Sequence, residues 1–496
     1  MKKLRNILLF CGAMALATSC SQDFLEPEET NFITEEQKKA MLQDPKELAN
    51  LVQATLNVNY NTLQGYWSSH DDWGLRAFQL ATDMMGTDLA HTRGWFVYDY
   101  QLDNFNDNYR RTNSTWNIFY DIVSKANIAL RDYFSEEDQR PEVLTLKAKF
   151  TGQRGIAFFH LTNFYQVTYV GNEDKLGIPL PLKPEDENLS RSTLKECYAQ
   201  IIKDLTFTVD HVGYTDGNAD IDKAVAAAYL AKVYASMEDW QNTEKYAKIA
   251  QGGGAIDAVL SYPPIWTYSN ADVLWGFDVT AVTSGLWASF YSMMDPTLPF
   301  YAGKSGQTKH IYNHLYHQMG KKDIRRKLYV NTDDNKAIAE KLGFTAPKFK
   351  YMTLKFIASD KANTDYVYLR VQDPLLLEIE AMIEQNKLQE AKAKLKVFVE
   401  ARDADFKVAD TQDELRAQVR LQRRLELWGE GTSWLDARRW KIESDRTKGA
   451  VYELNGKQVN EETNHAVPKK FNLNTIEMIH KLPQREVNNN KNLIQN

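Results

Sequence analysis

Apolar residues recur at helical spacing along most of this chain. From Pro45 onward, Leu48, Leu51, Val52 and Thr55 share one face, and Asp44 stands where an N-cap belongs. The same period returns over Thr112–Tyr133, Glu142–Tyr169 and Ser192–Val212. Gly171–Arg191 breaks it. Its Ile178-Pro179-Leu180-Pro181-Leu182 run must be extended, because each proline restricts itself and the residue before it.

Two later segments read as copies of one helix–turn–helix unit. In Asp222–Gln251, Tyr229, Ala231 and Tyr234 line a helix, and Glu238-Asp239 turns into Trp240. In Asp373–Arg402, Leu377, Ile379 and Met382 line a helix, and Asn386-Lys387 turns into Leu388. Trp240 follows Tyr229 by 11 positions, as Leu388 follows Leu377, and Ala247 matches Leu395. Such units resemble tetratricopeptide repeats, which bury their apolar faces on their neighbours. The predicted fold is mostly α: a tetratricopeptide-like helical repeat scaffold with an irregular, partly β, loop-rich second region.

Two stretches lack the helical period. Tyr66–Asp107 mixes Trp67, Trp73, Trp95, Phe96, Tyr98 and Tyr100 with Gly74, Gly86 and Gly94, so a helix should end near Asp83 and a long loop follow. In Gly252–Gln372, ten of the forty residues Tyr262–Tyr301 are aromatic, about twice the chain average, and Pro263-Pro264, Pro296 and Pro299 forbid long helices. Alternation in Lys348–Val371, as in Tyr366, Tyr368 and Arg370, predicts strands. A last helical run opens at Thr411, which with Glu414 makes a capping box. Leu415, Val419, Leu425 and Trp428 share its face, Gly429 and Gly431 end it, and a short helix follows from Ser433 to Trp440.

The N-terminus has a different pattern. Lys2, Lys3 and Arg5 precede an apolar run, Ile7–Ala17, of signal-peptide length and too short to span a bilayer. Ala17, Thr18 and Ser19 then lead to Cys20, an order that resembles the lipobox of bacterial lipoproteins, although the usual Leu three before the Cys is Ala17 here. That resemblance implies cleavage before Cys20 and lipid on the cysteine; the alternative is an ordinary secretory signal. Ser21–Thr34 carries Asp23, Glu26, Glu28 and Glu29 around Pro27 and reads as an extended, solvated tether. The organisation expected is a signal peptide at 1–19, a lipidated tether at 20–44, a helical region at 45–254, an aromatic-rich insertion at 255–372 and a C-terminal helical region at 373–496.

Charge and cysteine narrow the possibilities. The formal net charge of −6 becomes −9 once the three basic residues of the leader are removed, which argues against a nucleic-acid binder. Of three cysteines, Cys11 leaves with the signal and Cys20 takes lipid, so Cys197 has no partner for a disulfide and belongs in an apolar setting.

The C-terminal run is the most specific stretch. Arg423-Arg424-Leu425-Glu426-Leu427, Gly429-Glu430-Gly431, Trp434, Asp436 and Arg439-Trp440 resemble the signature of the SusD/RagB family. Gly429, Ser433 and Ala437 depart from it, where an aromatic, an Arg and a Leu are usual. Gly155–Tyr165, Ile201–Leu205, Ala224–Tyr234 and Leu482–Val487 follow in the family's order. The resemblance implies a surface lipoprotein that binds oligosaccharide, or less often peptide. It also implies a partner, a SusC-like TonB-dependent outer-membrane transporter on which the protein sits as a lid. No catalysis, cofactor or metal is implied. A surface glycosidase on a helical scaffold is the competing class.

Candidate site residues follow from these readings. Arg423, Arg424, Glu426, Glu430, Gly431, Asp436 and Trp440 are expected to be structural, because Arg–carboxylate pairs are the usual way such charges are buried, whereas a glycosidase pair must face a cleft. Ligand contact is expected from Trp95 and Tyr98, in a loop after Gly94 with Asn104 nearby, and from Trp287 and Tyr291 across a groove. Flat rings stack on the apolar faces of sugars, and loops on a rigid scaffold carry binding residues. His310, His314 and His317 would share a face if Lys309–Met319 were helical, without a fixed fourth metal ligand. Asp216–Asp222 lacks the glycine and the Glu of a calcium loop and reads as a turn before an Asp cap.

Overall fold

The computed structural model describes residues 34–65, 69–91, 93–215, 217–254, 266–331, 336–358, 363–446, 450–454, 457–460 and 470–496. The expected signal peptide, Cys20, the expected tether up to residue 33, Trp67, Asp216 and Pro263-Pro264 lie outside the described residues. Two compact units divide the chain at Leu51 and Val52. In the first, Thr34 and Gln37 form a reciprocal capping box on the Glu35–Gln43 helix. Asp44 Oδ1 then accepts from the Lys46 and Glu47 N–H groups, at 2.8 and 3.2 Å, and opens the Pro45–Gln64 helix.

In the second unit, helices Arg110–Tyr133, Pro141–Tyr165, Leu194–His211, Lys223–Ser236 and Trp240–Gln251 pack each on the next. Trp240–Gln251 packs directly on Gln372–Glu384, which meets Leu388–Glu400 and Gln412–Glu426. The helical series therefore runs on as though residues 252–371 were absent. The two repeat copies match in backbone as well as pattern: Glu238 and Asn386, at equivalent positions in their turns, both take left-handed conformations, with φ of 57° and 60°. This hand is what reverses the chain in so few residues. Thr193 and Glu196 form a full capping box on Leu194–His211. At Thr411 the box is altered, because Glu414 bonds the Thr411 hydroxyl at 2.6 Å rather than its backbone N–H.

One short antiparallel pair ties the irregular region to the segment after helix Leu75–Met85, and another closes within it. Leu89–His91 pairs with Lys309–Ile311, and Val273–Phe277 with Tyr366–Arg370. Strand Tyr366–Arg370 falls where alternation predicts it. Strand Leu89–His91 lies where a loop is expected, and its three residues are too few to show a period; its partner, distant in sequence, makes it a strand.

The three-histidine helix does not form. Lys309–Ile311 is a strand and only Asn313–Tyr316 is helical. His310 bonds Thr308 and Lys350, and His317 bonds the Tyr351 hydroxyl, so the histidines do not share one helical face. Among the described residues no helix is long and apolar enough to cross a membrane, and no cluster of His, Cys, Asp and Glu is arranged to hold a metal ion. Cys197 is buried, and its thiol is pushed up to about 11 by that burial.

Candidate ligand site and the signature beneath it

The signature charges form a buried ionic lattice. Glu426 has no exposed surface and faces Arg402 at 3.1 Å, with Arg325 and Arg370 each at 3.5 Å. Burial alone would raise its carboxyl, but the three guanidinium charges outweigh that and hold it well below the usual range. Glu430 is likewise raised by burial and lowered further by Arg370 and Lys355, with which it pairs at 2.6 Å each. Arg423 bridges Asp373 at 2.8 Å and Asp436 at 2.9 Å, and Arg439 closes on Asp436 at 2.8 Å. Arg424 Nε donates to Asp88 at 3.0 Å, and Trp440 Nε1 to Glu380 at 2.7 Å.

Gly431 is required by the backbone. At φ 85° an added Cβ would sit 2.6 Å from Gln79 Cβ, and its N–H donates to Asp83 at 2.7 Å. Each of these carboxylates spends its oxygens on fixed cations or N–H groups, an arrangement that fastens the end of Gln412–Glu426 to the body.

Above the Leu89–His91 strand the backbone aims one ring outward. His91 Nε2 donates to Trp95 O at 2.8 Å, and the Trp95 N–H donates to Gln307 Oε1 at 2.9 Å. Burial, followed by the nearby Lys309 charge, keeps the His91 imidazole well below its ordinary range, so it is neutral. Gly94, at φ 92°, is needed because a Cβ would lie 2.1 Å from Gln307 Cδ. Phe96 follows at φ 70°, a strained conformation for a bulky residue. It is buried edge-on against Trp73 and under the Arg111 guanidinium. Trp95 is thus clamped by both backbone groups and by the buried ring after it, while its own ring stays half-buried.

Four rings meet there. His70 stacks on Trp95 with centroids 5.5 Å apart and planes 11° from parallel. Tyr301 meets His70 at 5.6 Å and Trp95 at 6.1 Å, both edge-on, and its hydroxyl lies 2.8 Å from His70 Nδ1. These near-equal distances put Tyr301 beside the stack, so neither ring covers the far face of Trp95. Trp287 meets Tyr301 at 4.9 Å and Phe300 at 5.3 Å. His70, Trp95, Trp287, Phe300 and Tyr301 are all half-buried.

Trp95 and Trp287, expected on opposite sides of a groove, are in fact joined through one tyrosine. Sequence reasoning missed His70 and Tyr301. The available signal for Tyr301 was its place in the aromatic, proline-rich stretch; His70 carries none beyond its proximity to Trp67 and Trp73.

Three of the expected contact residues are placed differently. Asn104 is 0% exposed, its amide committed to Asp99 at 2.6 Å, because Asp99 is the buried partner of Arg111. Tyr291 is 4% exposed and donates its hydroxyl to Asp365 O at 2.9 Å; helix Phe290–Met294 turns it inward. Tyr98 is 50% exposed, but it sits on the short Val97–Gln101 helix and meets Tyr109 rather than the four-ring cluster. The ring set is therefore His70, Trp95, Trp287 and Tyr301, with Asn104 and Tyr291 removed to the core.

A groove of about 910 Å³ lies elsewhere, over the Pro141–Tyr165 helix between Arg131, Lys147 and Lys203, and ends at Leu182–Glu185. There the extended proline run is held by Tyr120, which donates to Pro179 O, and by Asn127, which donates to Pro181 O, at 2.8 and 2.9 Å.

A helical-repeat body with an irregular aromatic face is the class this fold defines. Residues 289–496 match the SusD family profile, and residues 26–235 match one described as starch-binding associating with outer membrane. The chain belongs to the SusD/RagB family. It is 23% identical over 435 residues to the SusD-like protein P2 of Formosa agariphila, covering 79% of this chain and 83% of that one. A crystal structure of a SusD superfamily protein from Bacteroides thetaiotaomicron superposes with a TM-score of 0.73 at 20% identity, covering 90% of this chain and 99% of that one. A SusD-like carbohydrate binding protein from Bacteroides vulgatus gives 0.74 at 21%, covering 90% and 97%.

Proposed function

We propose that this protein is a cell-surface oligosaccharide-binding lipoprotein, anchored in the outer membrane through lipid on Cys20. In this reading it closes as a lid on a SusC-like TonB-dependent transporter and catalyses no reaction. The observation that carries the binding reading is the meeting of Trp95 and Trp287 on Tyr301, which lies beside the His70–Trp95 stack and not on the other face of Trp95. A fixed half-buried indole offers a sugar ring a flat apolar surface at little cost in conformational entropy. Support also comes from the family description, which names starch binding and the outer membrane, and from the Bacteroides vulgatus relative described as carbohydrate binding. The non-catalytic reading is supported by the signature carboxylates, which are held in Arg and Lys pairs and do not face a cleft as a glycosidase pair would.

Isothermal titration of the lipid-free protein against a panel of neutral and acidic oligosaccharides tests the binding. At least one should bind with a stoichiometry near one and release no product. Hydrolysis of a panel member would favour the glycosidase, and binding of peptides alone would favour peptide capture. Co-purification of the full-length protein with a transporter from outer membranes tests the lid.

A further inference from the structure

The ring cluster is bordered by cations without matching acids. The Arg93 guanidinium lies on the turn after Tyr301, where Nη2 donates to Ser305 O at 3.1 Å. That turn is tightly closed: Lys304 and Ser305 N–H groups donate back to Phe300 O at 2.8 and 3.2 Å, and Gln307 N–H to Tyr301 O at 2.9 Å. The closure brings Lys304 and Arg93 against the loop that supplies Phe300, Tyr301 and the Gln307 clamp on Trp95. Both are exposed, and neither has a carboxylate partner among the described residues. Arg93 uses one of its five N–H donors on Ser305 and keeps the remainder.

The acids contributed by these same segments are already neutralised. Segments 69–72, 93–95, 284–287 and 297–309 contain only Asp71 and Asp72 as acidic residues. Asp71 pairs with Arg110 at 2.6 Å and Arg111 at 3.3 Å, and Asp72 with Arg110 at 3.4 Å. Both aspartates are buried. Beneath the rings Lys309 is buried, its amine bonded to Gln307 O and pushed down to about 7 by that burial, so the rim charge rests on Arg93 and Lys304. A positive rim on a chain with a formal net charge of −6 is a local feature that opposes the overall charge.

We infer that the ligand of this site is an anionic glycan, bearing a uronate carboxylate or a sulfate ester that Arg93 and Lys304 hold while the sugar ring lies on Trp95. The inference rests on the carbohydrate-binding reading and assigns its substrate class. A planar guanidinium offers paired N–H donors to two oxygens of a carboxylate or sulfate, which an ammonium cannot match.

The test is titration of the lipid-free protein with galacturonate and alginate oligomers, with carrageenan oligomers, and with neutral maltoheptaose and xylohexaose, at low and high NaCl. One acidic class should bind at least about tenfold more tightly than the neutral probes, and more weakly in high salt. Uronate binding without carrageenan binding identifies the carboxylate, and the reverse identifies the sulfate. Arg93→Gln should lose about tenfold in affinity and Lys304→Gln less, with both melting as the parent does. Equal or tighter binding of a neutral probe, no salt dependence, or an unaffected Arg93→Gln overturns the anionic assignment while carbohydrate binding stands. Failure of every probe, acidic and neutral, overturns both.

Discussion

Trp95 and Tyr301 meet edge to face with ring centroids 6.1 Å apart, and both extend from the end of the Leu89–His91 and Lys309–Ile311 strand pair where His91 faces Lys309. Each strand leads into one of the two rings, so the pairing sets the position of both. A ring held this way can be truncated without opening the core.

Trp95→Ala is therefore expected to lose most of the oligosaccharide affinity, about 2 kcal/mol or more, with a melting temperature within a few degrees of the parent. Trp287→Ala should behave the same way but more weakly. Calorimetric titration and thermal melting on the same samples separate the outcomes. Two variants that unfold would mark these rings as core, and two that bind normally would place the ligand elsewhere.

Glu426→Ala should act in the opposite sense. It leaves Arg402, Arg370 and Arg325 facing one another around a buried vacancy, and removing one partner of such a group costs about 3–5 kcal/mol. Urea denaturation should show this loss, while ligand affinity measured well below the transition stays unchanged. Selective loss of binding at unaltered stability would contradict a structural role.

Buried neutral histidines predict acid sensitivity. Burial lowers His160 and His480 to about 3 and His310 to about 4, and holds His91 well below its ordinary value. Between those values and about 6.5 the unfolded chain binds protons that the folded one does not, so stability falls as pH drops from about 6.5 towards 4. Asp83 opposes this. Burial raises it to about 7, so the folded form holds its proton where the unfolded form has lost it, and the stability it contributes is lost as pH rises towards 7. Burial raises Asp204, Asp222 and Asp295 in the same sense as Asp83, but the ordinary value of the four histidines lies inside this window, so denaturation midpoints should drop from pH 7 to pH 5. His480→Gln should flatten the slope by about one proton, roughly 1.4 kcal/mol per pH unit. A midpoint that does not move with pH would mean these rings are solvated.

Cys20→Ala should release the protein from membranes, because a lipid anchor needs that sulfur and no described helix is long and apolar enough to cross a bilayer. Detergent partitioning of the parent and the variant measures it. Equal partitioning would exclude lipidation at Cys20.

Local order was legible in the sequence wherever one segment carried its own periodicity. Leu377, Ile379 and Met382 repeat at helical spacing because a single face of one helix must be buried, and the 11-residue step from Tyr229 to Trp240 recurs from Leu377 to Leu388 because both turns have the same length. The signature was legible for a related reason: Arg423, Glu426, Glu430 and Asp436 lie close in sequence around one helix end. Their partners were not, since Asp88, Arg325, Lys355 and Arg370 arrive from separate segments. Contact across the chain decided the proposed ligand face. Asn104 and Trp95 are alike as polar and aromatic residues in a glycine-containing stretch, yet Arg111 draws Asp99 and Asn104 into the core, while Gln307 and His91 grip only the Trp95 backbone and leave its ring half-buried. A chain's own pattern reports which residues prefer burial; which of them are granted it depends on donors, acceptors and volume supplied from elsewhere, and that is settled only when strands such as Leu89–His91 and Lys309–Ile311 come together.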